Sequence, residues 1–168
     1  MGFYPADIEA KAAAVIAAYR DLGWMISTAE SCTGGLIAGA LTEIAGSSAV
    51  VDRGFVTYTN QAKMDLIGVT AKTLEGFGAV SRETALQMAH GALMRSDAEV
   101  AVAVTGIAGP GGGSPEKPVG LVHLALKSRS GLIDQREMRY GDIGRDQVRL
   151  ATVRTALEML TVAAQVPA

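Results

Sequence analysis

The chain has 168 residues, 49% of them hydrophobic, which is enough for one domain, expected to span residues 1–168, with a substantial core. Its formal net charge of −2, without a basic run, disfavours nucleic-acid binding. The single cysteine excludes an internal disulfide. The sequence shows neither a signal-peptide start nor an apolar stretch long enough to span a membrane. We therefore expect a cytoplasmic protein with no membrane contact.

Apolar spacing and turn residues predict alternating helices and strands along the chain. Gly23 is a suitable helix stop, and Asn60 and Ser81 are suitable N-caps. In chain order the predicted elements are a helix over 5–22, a strand over 24–28, a helix from 33 to 46, a strand over 50–58, a helix over 60–67, a helix over 81–93, strands over 100–104, 120–126 and 132–140, and a helix over 144–164.

This alternation of strands and helices predicts an α/β fold, a three-layer α/β/α single domain with a mixed, mostly parallel sheet. The run Val100–Val104 is continuously apolar, as expected for a central strand covered on both faces. The strands near Gly120 and Leu132 are too close in sequence for a crossover, which predicts an antiparallel pair. The second of these strands alternates with charges, as an edge strand does.

The segment Thr28–Gly35 (TAESCTGG) lies where a predicted strand meets a predicted helix. A helix start exposes unpaired backbone N–H groups, and two glycines let a ligand approach the backbone closely. The corner therefore suits an anion cradle, an oxyanion hole or a nucleophile held over one. The alternative is an ordinary turn in which Ser31 or Thr33 is only the N-cap.

A glycine-rich stretch, Thr105–Pro118, directly follows the predicted central strand. Ligands of open α/β sheets bind beyond the carboxyl ends of the strands, so this loop is a candidate binding element. It matches neither the Walker loop nor the dinucleotide fingerprint. The alternative is a flexible surface loop.

Two cations at predicted helix starts are further candidates. With Asn60 as N-cap, Lys63 lies at N3, where its charge opposes the helix dipole at a cost of about 0.3–1 kcal/mol. Burial would have to supply the rest of the pKa shift needed for a neutral lysine base; otherwise Lys63 is a solvated surface residue. Arg145 could clamp a phosphate or carboxylate, or pair with Asp142 or Asp146.

Metal and histidine chemistry find little support in the sequence. His90 and His123 lie within predicted elements without metal-ligand spacing, so we expect no metal, no Ser-His-Asp triad and no cofactor. Cys32 has no histidine base among its neighbours and is interpreted as a small buried residue.

Several short motifs occur together in an order that resembles the carboxy-terminal domain of the CinA (competence/damage-inducible) family, in its stand-alone form. The resemblance covers roughly Ala10 to Leu160. The motifs are Ala29–Gly35, Gly46–Ser48, Arg53–Tyr58, Gly78–Ser81, Thr105–Pro110 and Lys117–Gly120.

This resemblance implies nicotinamide-nucleotide amidase activity, which converts nicotinamide mononucleotide to nicotinate mononucleotide and ammonia in pyridine-nucleotide salvage. It implies Ser31 as nucleophile, Lys63 as base and Tyr58 as a third catalytic residue. The implied substrate-binding residues are Glu30, Thr33, Gly34, Gly35, Thr105, Gly106 and Arg145. A non-catalytic nucleotide-binding module and a regulatory protein remain alternatives, and the chain could also form a homo-oligomer.

Overall fold

A five-stranded mixed sheet with helices on both faces forms the computed structural model, which describes residues 2–166. The predicted α/β/α architecture is confirmed. The strands are β1 Ile26–Glu30, β2 Val51–Val56, β3 Val100–Gly106, β4 Leu121–Ser128 and β5 Ile133–Arg139. The helices are α1 Ala6–Leu22, α2 Leu36–Thr42, α3 Asn60–Ile67, α4 Ala71–Phe77, α5 Arg82–Met94 and α6 Arg145–Ala163.

The strand order is β2-β1-β3-β4-β5. Strand β1 pairs parallel with both β2 and β3, whereas β3–β4 and β4–β5 pair antiparallel. The predicted antiparallel pair and the β5 edge strand are therefore confirmed, and parallel pairing is confined to three strands. Glu30, the last residue of β1, lies opposite Val56 and Val104, so these three strands reach their carboxyl ends together.

The two sheet faces carry different cores because alternate side chains of a strand point to opposite faces. Val102 packs into the core made with α1, α2 and α6. Ala101 and Ala103 face α5, where their small side chains pack against Met88. Within residues 2–166, none of the helices combines the length and apolar character required to cross a bilayer.

Several local predictions differ from the structure, among them the first strand, which spans Ile26–Glu30 instead of 24–28. Helix α2 ends at Thr42 instead of near Gly46, and α4 was not predicted. The N-cap of α3 is Thr59, not Asn60, because the Thr59 hydroxyl accepts the N–H of Ala62 at 3.0 Å. Lys63 is therefore at N4 and not at N3. By contrast, the Ser81 cap of α5 is confirmed, since its hydroxyl accepts the N–H of Thr84.

Candidate active site

A cavity of about 280 Å³ opens at the carboxyl ends of the three parallel strands. Its walls come from the turn after β1, the start of α3, the loop after β3 and the start of α6. The lining residues are Ser31, Cys32, Tyr58, Lys63, Ala79, Val80, Thr105, Gly106, Ile107, Ala108, Gly109, Gly111, Gly112 and Arg145.

Ser31 is the first residue after β1 and lies at the base of this cavity. Its N–H donates to the carbonyl oxygen of Val104 at 3.1 Å, which extends the pairing of β1 with β3 by one residue. Its side chain is mostly buried, and its Oγ lies 3.0 Å from Lys63 Nζ. The hydroxyl is therefore held by the sheet on one side and reaches an amine on the other.

Lys63 is almost completely buried, at 1% exposure. Its Nζ contacts three oxygens: the carbonyls of Thr57 at 2.8 Å and Tyr58 at 3.3 Å, and Ser31 Oγ at 3.0 Å. Among the ion pairs of residues 2–166, none involves this amine. Burial without a carboxylate partner lowers the pKa of Lys63 from 10.5 to about 8.

The three contacts of Lys63 fit both protonation states: an ammonium can donate to all three oxygens, and a neutral amine can donate to two of them and accept from the third. A neutral lysine has two N–H groups and one lone pair, whereas the ammonium has three N–H groups and no acceptor. The two carbonyl oxygens can only accept, so they take the two N–H groups of the neutral form. In the neutral form, the lone pair is then left for the hydroxyl hydrogen of Ser31, an arrangement compatible with general-base activation.

Glu30 occupies the helix start that the sequence suggested as an anion cradle. Its carboxylate accepts the N–H groups of Ile37 at 2.8 Å and Ala38 at 3.0 Å, and the Thr33 hydroxyl at 2.7 Å. The N-cap position of α2 is Gly35, so neither Ser31 nor Thr33 is the N-cap. Glu30 is buried at 1% exposure and does not line the cavity, so its carboxylate lies against the helix start and not against the cavity.

Thr33, Gly34 and Gly35 shape the turn without lining the cavity. Thr33 is buried, and its hydroxyl donates to the Glu30 carboxylate. The Gly34 N–H donates to the carbonyl oxygen of Ser31 at 3.0 Å. Gly34 and Gly35 have φ values of +58° and +102°, the left-handed region that favours glycine. In the structure these residues therefore shape the turn beneath Ser31 and lie outside the cavity lining.

Cys32 lines the cavity beside Ser31, but its thiol is poorly suited to nucleophilic attack. Burial raises the pKa of Cys32 to about 12. A thiol with that pKa stays protonated near neutral pH, and the thiolate is the reactive form.

Arg145 joins two walls of the cavity. One guanidinium nitrogen donates to the carbonyl oxygen of Gly109 at 2.8 Å, and another donates to the phenol oxygen of Tyr58 at 2.8 Å. Within the described chain, the expected alternative pairing with Asp142 or Asp146 does not form. The Tyr58 phenol is thus held by Arg145, and it is the Tyr58 backbone that contacts Lys63.

Thr105 and Gly106 both line the cavity, at the end of β3. The Thr105 hydroxyl donates to the carbonyl oxygen of Ala79 at 2.8 Å, which fixes the segment before α5 as a wall. A Cβ on Gly106 would lie 2.8 Å from the carbonyl oxygen of Leu121, so only glycine fits there. The loop that follows contributes backbone to the cavity, as its glycine content suggested.

Ala79 and Val80 line the cavity without having been predicted as site residues. They lie within a short motif of the family resemblance, but their apolar side chains give no chemical indication of a site. Metal binding has no candidate either: within residues 2–166, no group of three or more His, Cys, Asp or Glu residues could hold an ion.

The sequence of the chain is similar to a protein-family model and to proteins with assigned names. The family model described as the CinA C-terminal domain matches residues 8–163. A protein named nicotinamide-nucleotide amidohydrolase PncC from Enterobacter agglomerans is 51% identical over 143 residues, which cover 84% of this chain and 86% of that protein. The protein of the same name from Escherichia coli K12 is 50% identical over 144 residues, with 85% and 86% coverage.

Longer relatives and solved structures extend the comparison. A CinA-like protein from Geotalea daltonii is 51% identical over 142 residues, which cover 84% of this chain but only 34% of that protein. The crystal structure of the competence/damage inducible protein CihA from Agrobacterium tumefaciens is 72% identical, with a TM-score of 0.97 and coverage of 98% and 100%. A CinA-superfamily structure from Escherichia coli is 36% identical with a TM-score of 0.87, and the alignment covers 96% of this chain and 94% of that chain.

Proposed function

Because the chain belongs to the family of the CinA C-terminal domain, we propose that it is a nicotinamide-nucleotide amidase that works through Ser31 and Lys63. It hydrolyses nicotinamide mononucleotide to nicotinate mononucleotide and ammonia, a reaction of pyridine-nucleotide salvage. The observation that carries the mechanism is the 3.0 Å contact between Ser31 Oγ and a buried Lys63 amine. The activity rests on relatives of similar length that are named for it.

In the first step, the lone pair of neutral Lys63 takes the hydroxyl proton as Ser31 Oγ attacks the carboxamide carbon of the substrate. A bond forms between Oγ and that carbon, and the carbonyl π pair moves to the oxygen. The Thr57 and Tyr58 carbonyls hold the resulting ammonium, so no separate carboxylate is required. The lowered pKa of Lys63 greatly raises the fraction of neutral base at physiological pH compared with an ordinary lysine.

The oxyanion of this tetrahedral intermediate needs donors in the cavity. The predicted donors, the N–H groups near Thr33 to Gly35, belong to residues outside the lining, and the Gly34 N–H is already bonded to Ser31. Cys32 follows the nucleophile directly and lines the cavity, and its N–H has no backbone acceptor among the described residues. It is the best candidate, and one such donor is worth about 2.7–4 kcal/mol in other enzymes.

The later steps return the proton and regenerate the serine. The Lys63 ammonium protonates the amide nitrogen as the carbon–nitrogen bond breaks, which releases ammonia and leaves an acyl group on Ser31. Neutral Lys63 then takes a proton from water, whose oxygen attacks the acyl carbon. Collapse of this second intermediate returns the proton to Ser31 Oγ and releases the carboxylate product.

Arg145 and Tyr58 form the wall that receives the rest of the nucleotide. The guanidinium holds neutral partners only, Gly109 O and the Tyr58 phenol, so its charge is free to attract the anionic phosphate. The loop around Gly111 and Gly112 brings backbone close to the same space.

The test is ammonia and nicotinate mononucleotide formation by the purified protein from nicotinamide mononucleotide, with free nicotinamide as the control substrate. We expect equal amounts of both products, no turnover of nicotinamide and no inhibition by EDTA. Binding of the mononucleotide without product would overturn the amidase proposal in favour of a nucleotide-binding module. Loss of activity in EDTA that a divalent ion restores would overturn the metal-free mechanism.

A further inference from the structure

Arg149 holds the outer side of the turn that carries Ser31. Its Nε donates to the carbonyl oxygen of Cys32 and its Nη2 to that of Thr33, both at 3.1 Å. The side chain comes from α6, more than a hundred residues along the chain. Among the ion pairs of residues 2–166, none involves Arg149, so its guanidinium donates to these two carbonyl oxygens without a carboxylate partner.

Glu30 holds the same turn from the inside. Its carboxylate accepts the N–H groups at the start of α2 and the Thr33 hydroxyl, as described above. Gly34 lies against the guanidinium, since a Cβ there would be 3.5 Å from Arg149 Nη2. The turn after Ser31 is therefore fixed between a buried carboxylate and a guanidinium, and its carbonyl groups at Ser31, Cys32 and Thr33 all accept hydrogen bonds.

Arg149 also lies one helical turn after Arg145 on α6. Residues four apart share one helix face, and here the two arginines hold two different walls of the cavity. Arg145 holds the loop at Gly109, and Arg149 holds the nucleophile turn at Cys32 and Thr33. A single rigid helix thus sets the distance between the reacting serine and the substrate-binding wall.

We infer that Arg149 is a positioning residue for hydrolysis, a role that rests on the proposed function of Ser31. It fixes the Cys32–Thr33 and Thr33–Gly34 peptide planes without touching substrate. The second plane carries the Gly34 N–H, which donates to the Ser31 carbonyl oxygen at 3.0 Å and so holds the Ser31–Cys32 plane that carries the proposed N–H donor. A planar peptide whose carbonyl is held on one side has its N–H fixed on the other. A misplacement of about 1 Å at a reacting group costs on the order of 100-fold in rate.

The experiment compares Arg149→Met and Arg149→Lys with Arg154→Met. Arg154 lies on the same helix but pairs with Asp7 at the surface, away from the cavity, and is the matched control. For Arg149→Met we expect kcat to fall about 10- to 100-fold, while KM changes less than about twofold and the pH midpoint set by Lys63 stays unchanged. Arg149→Lys should recover only part of the lost kcat, because one ammonium cannot donate to both carbonyl oxygens in the way the planar guanidinium does.

Two further readouts separate positioning from general support of the fold. Guanidinium ion in the buffer should restore part of the activity of Arg149→Ala but leave Arg154→Ala unchanged. Amide exchange at Ile37 and Ala38 should accelerate in Arg149→Met and not in Arg154→Met, because the turn that precedes α2 is released.

The inference is overturned if Arg149→Met keeps more than half of kcat, or if KM rises while kcat is preserved. It is equally overturned if Arg154→Met loses as much activity as Arg149→Met. A wild-type protein that releases no ammonia would instead defeat the proposed function, and the amide-exchange comparison would still decide whether Arg149 holds the turn.

Discussion

The Lys63 amine lies closer to the carbonyl oxygen of Thr57, at 2.8 Å, than to the hydroxyl oxygen of Ser31, at 3.0 Å. The stronger contact is with a group that can only accept a hydrogen bond. This contact directs an N–H of the amine away from Ser31 and leaves the remaining lone pair of the neutral form directed toward the serine. In the proposed mechanism, the backbone that precedes α3 thus orients the neutral amine toward Ser31.

Replacement of the proposed nucleophile tests the central assignment. Ser31→Ala should fold normally and bind the mononucleotide, but turnover should fall by at least roughly 1000-fold, as for other serine nucleophiles. Single-turnover ammonia release measures this loss, and titration of the mononucleotide by calorimetry checks binding. Near-normal ammonia release would contradict the assignment.

The pH dependence of activity tests the base. Because Lys63 must be neutral to accept a proton and its pKa is about 8, the rate should rise with pH to a plateau with a midpoint near 8. Lys63→Met lacks the amine, and Lys63→Arg stays protonated throughout this range, so both should be nearly inactive at every pH. Substantial activity of Lys63→Arg would mean that the residue supplies only positive charge.

The same lowered pKa predicts how stability depends on pH. Between about pH 8 and 10.5 the unfolded chain binds a proton at Lys63 that the folded protein does not, so the free energy of unfolding rises with pH. Relative to Lys63→Met, the wild type should gain about 3 kcal/mol across this window, at about 1.4 kcal/mol per pKa unit. Urea titrations of both proteins at pH 7.5 and 10.5 measure the difference; an equal pH response would show that burial does not shift this group.

Cys32 should be dispensable for chemistry. Burial raises its pKa to about 12, so the thiol is protonated at the pH of the reaction. Cys32→Ala should keep most of the activity and lose about 1 kcal/mol of stability from the smaller side chain. In the wild type, mass spectrometry should detect little alkylation by iodoacetamide at pH 8. A variant as inactive as Ser31→Ala would make the thiol the nucleophile.

Arg145 and Tyr58 should affect substrate binding to different extents. Arg145→Met removes the cation and should lower kcat/KM about 10- to 100-fold, mainly through KM, in line with a lost charge-assisted hydrogen bond. Tyr58→Phe removes only the hydroxyl that Arg145 contacts and should have a smaller effect. Kinetics with varied mononucleotide concentration measure both, and a fall in kcat at constant KM for Tyr58→Phe would support a direct catalytic role of the phenol.

Much of the fold was predictable because the predictive features are local. Continuous apolar character marked the central strand at Val100–Val104, and the Ser81 cap marked the start of α5. The cap of α3 was misplaced by one residue because Thr59 and Asn60 are both good N-caps and only the observed hydrogen bond distinguishes them. Helix α4 was missed because a seven-residue helix with Gly76 inside it has little periodicity to detect.

The candidate site was predictable only in part. Ser31, Thr105, Gly106 and Arg145 occur at strand ends or helix starts, where the sequence suggests a site, and all four line the cavity. The family resemblance implied that Glu30 binds substrate. The sequence does not show that its carboxylate accepts the N–H groups at the start of α2, which the structure reveals. The helix start therefore binds an anion that belongs to the protein itself, the Glu30 carboxylate.

The sequence by itself determined the alternation of elements, the glycine pair after the first strand, and the presence of a serine at a strand-to-helix corner. These features depend on neighbouring residues, whose sterics and hydrogen bonds act within a few positions. Only the tertiary structure decided that Lys63 meets Ser31 and that Arg149 holds the same turn. Such contacts depend on strand order and helix packing, and the pKa of Lys63 depends on the burial they create.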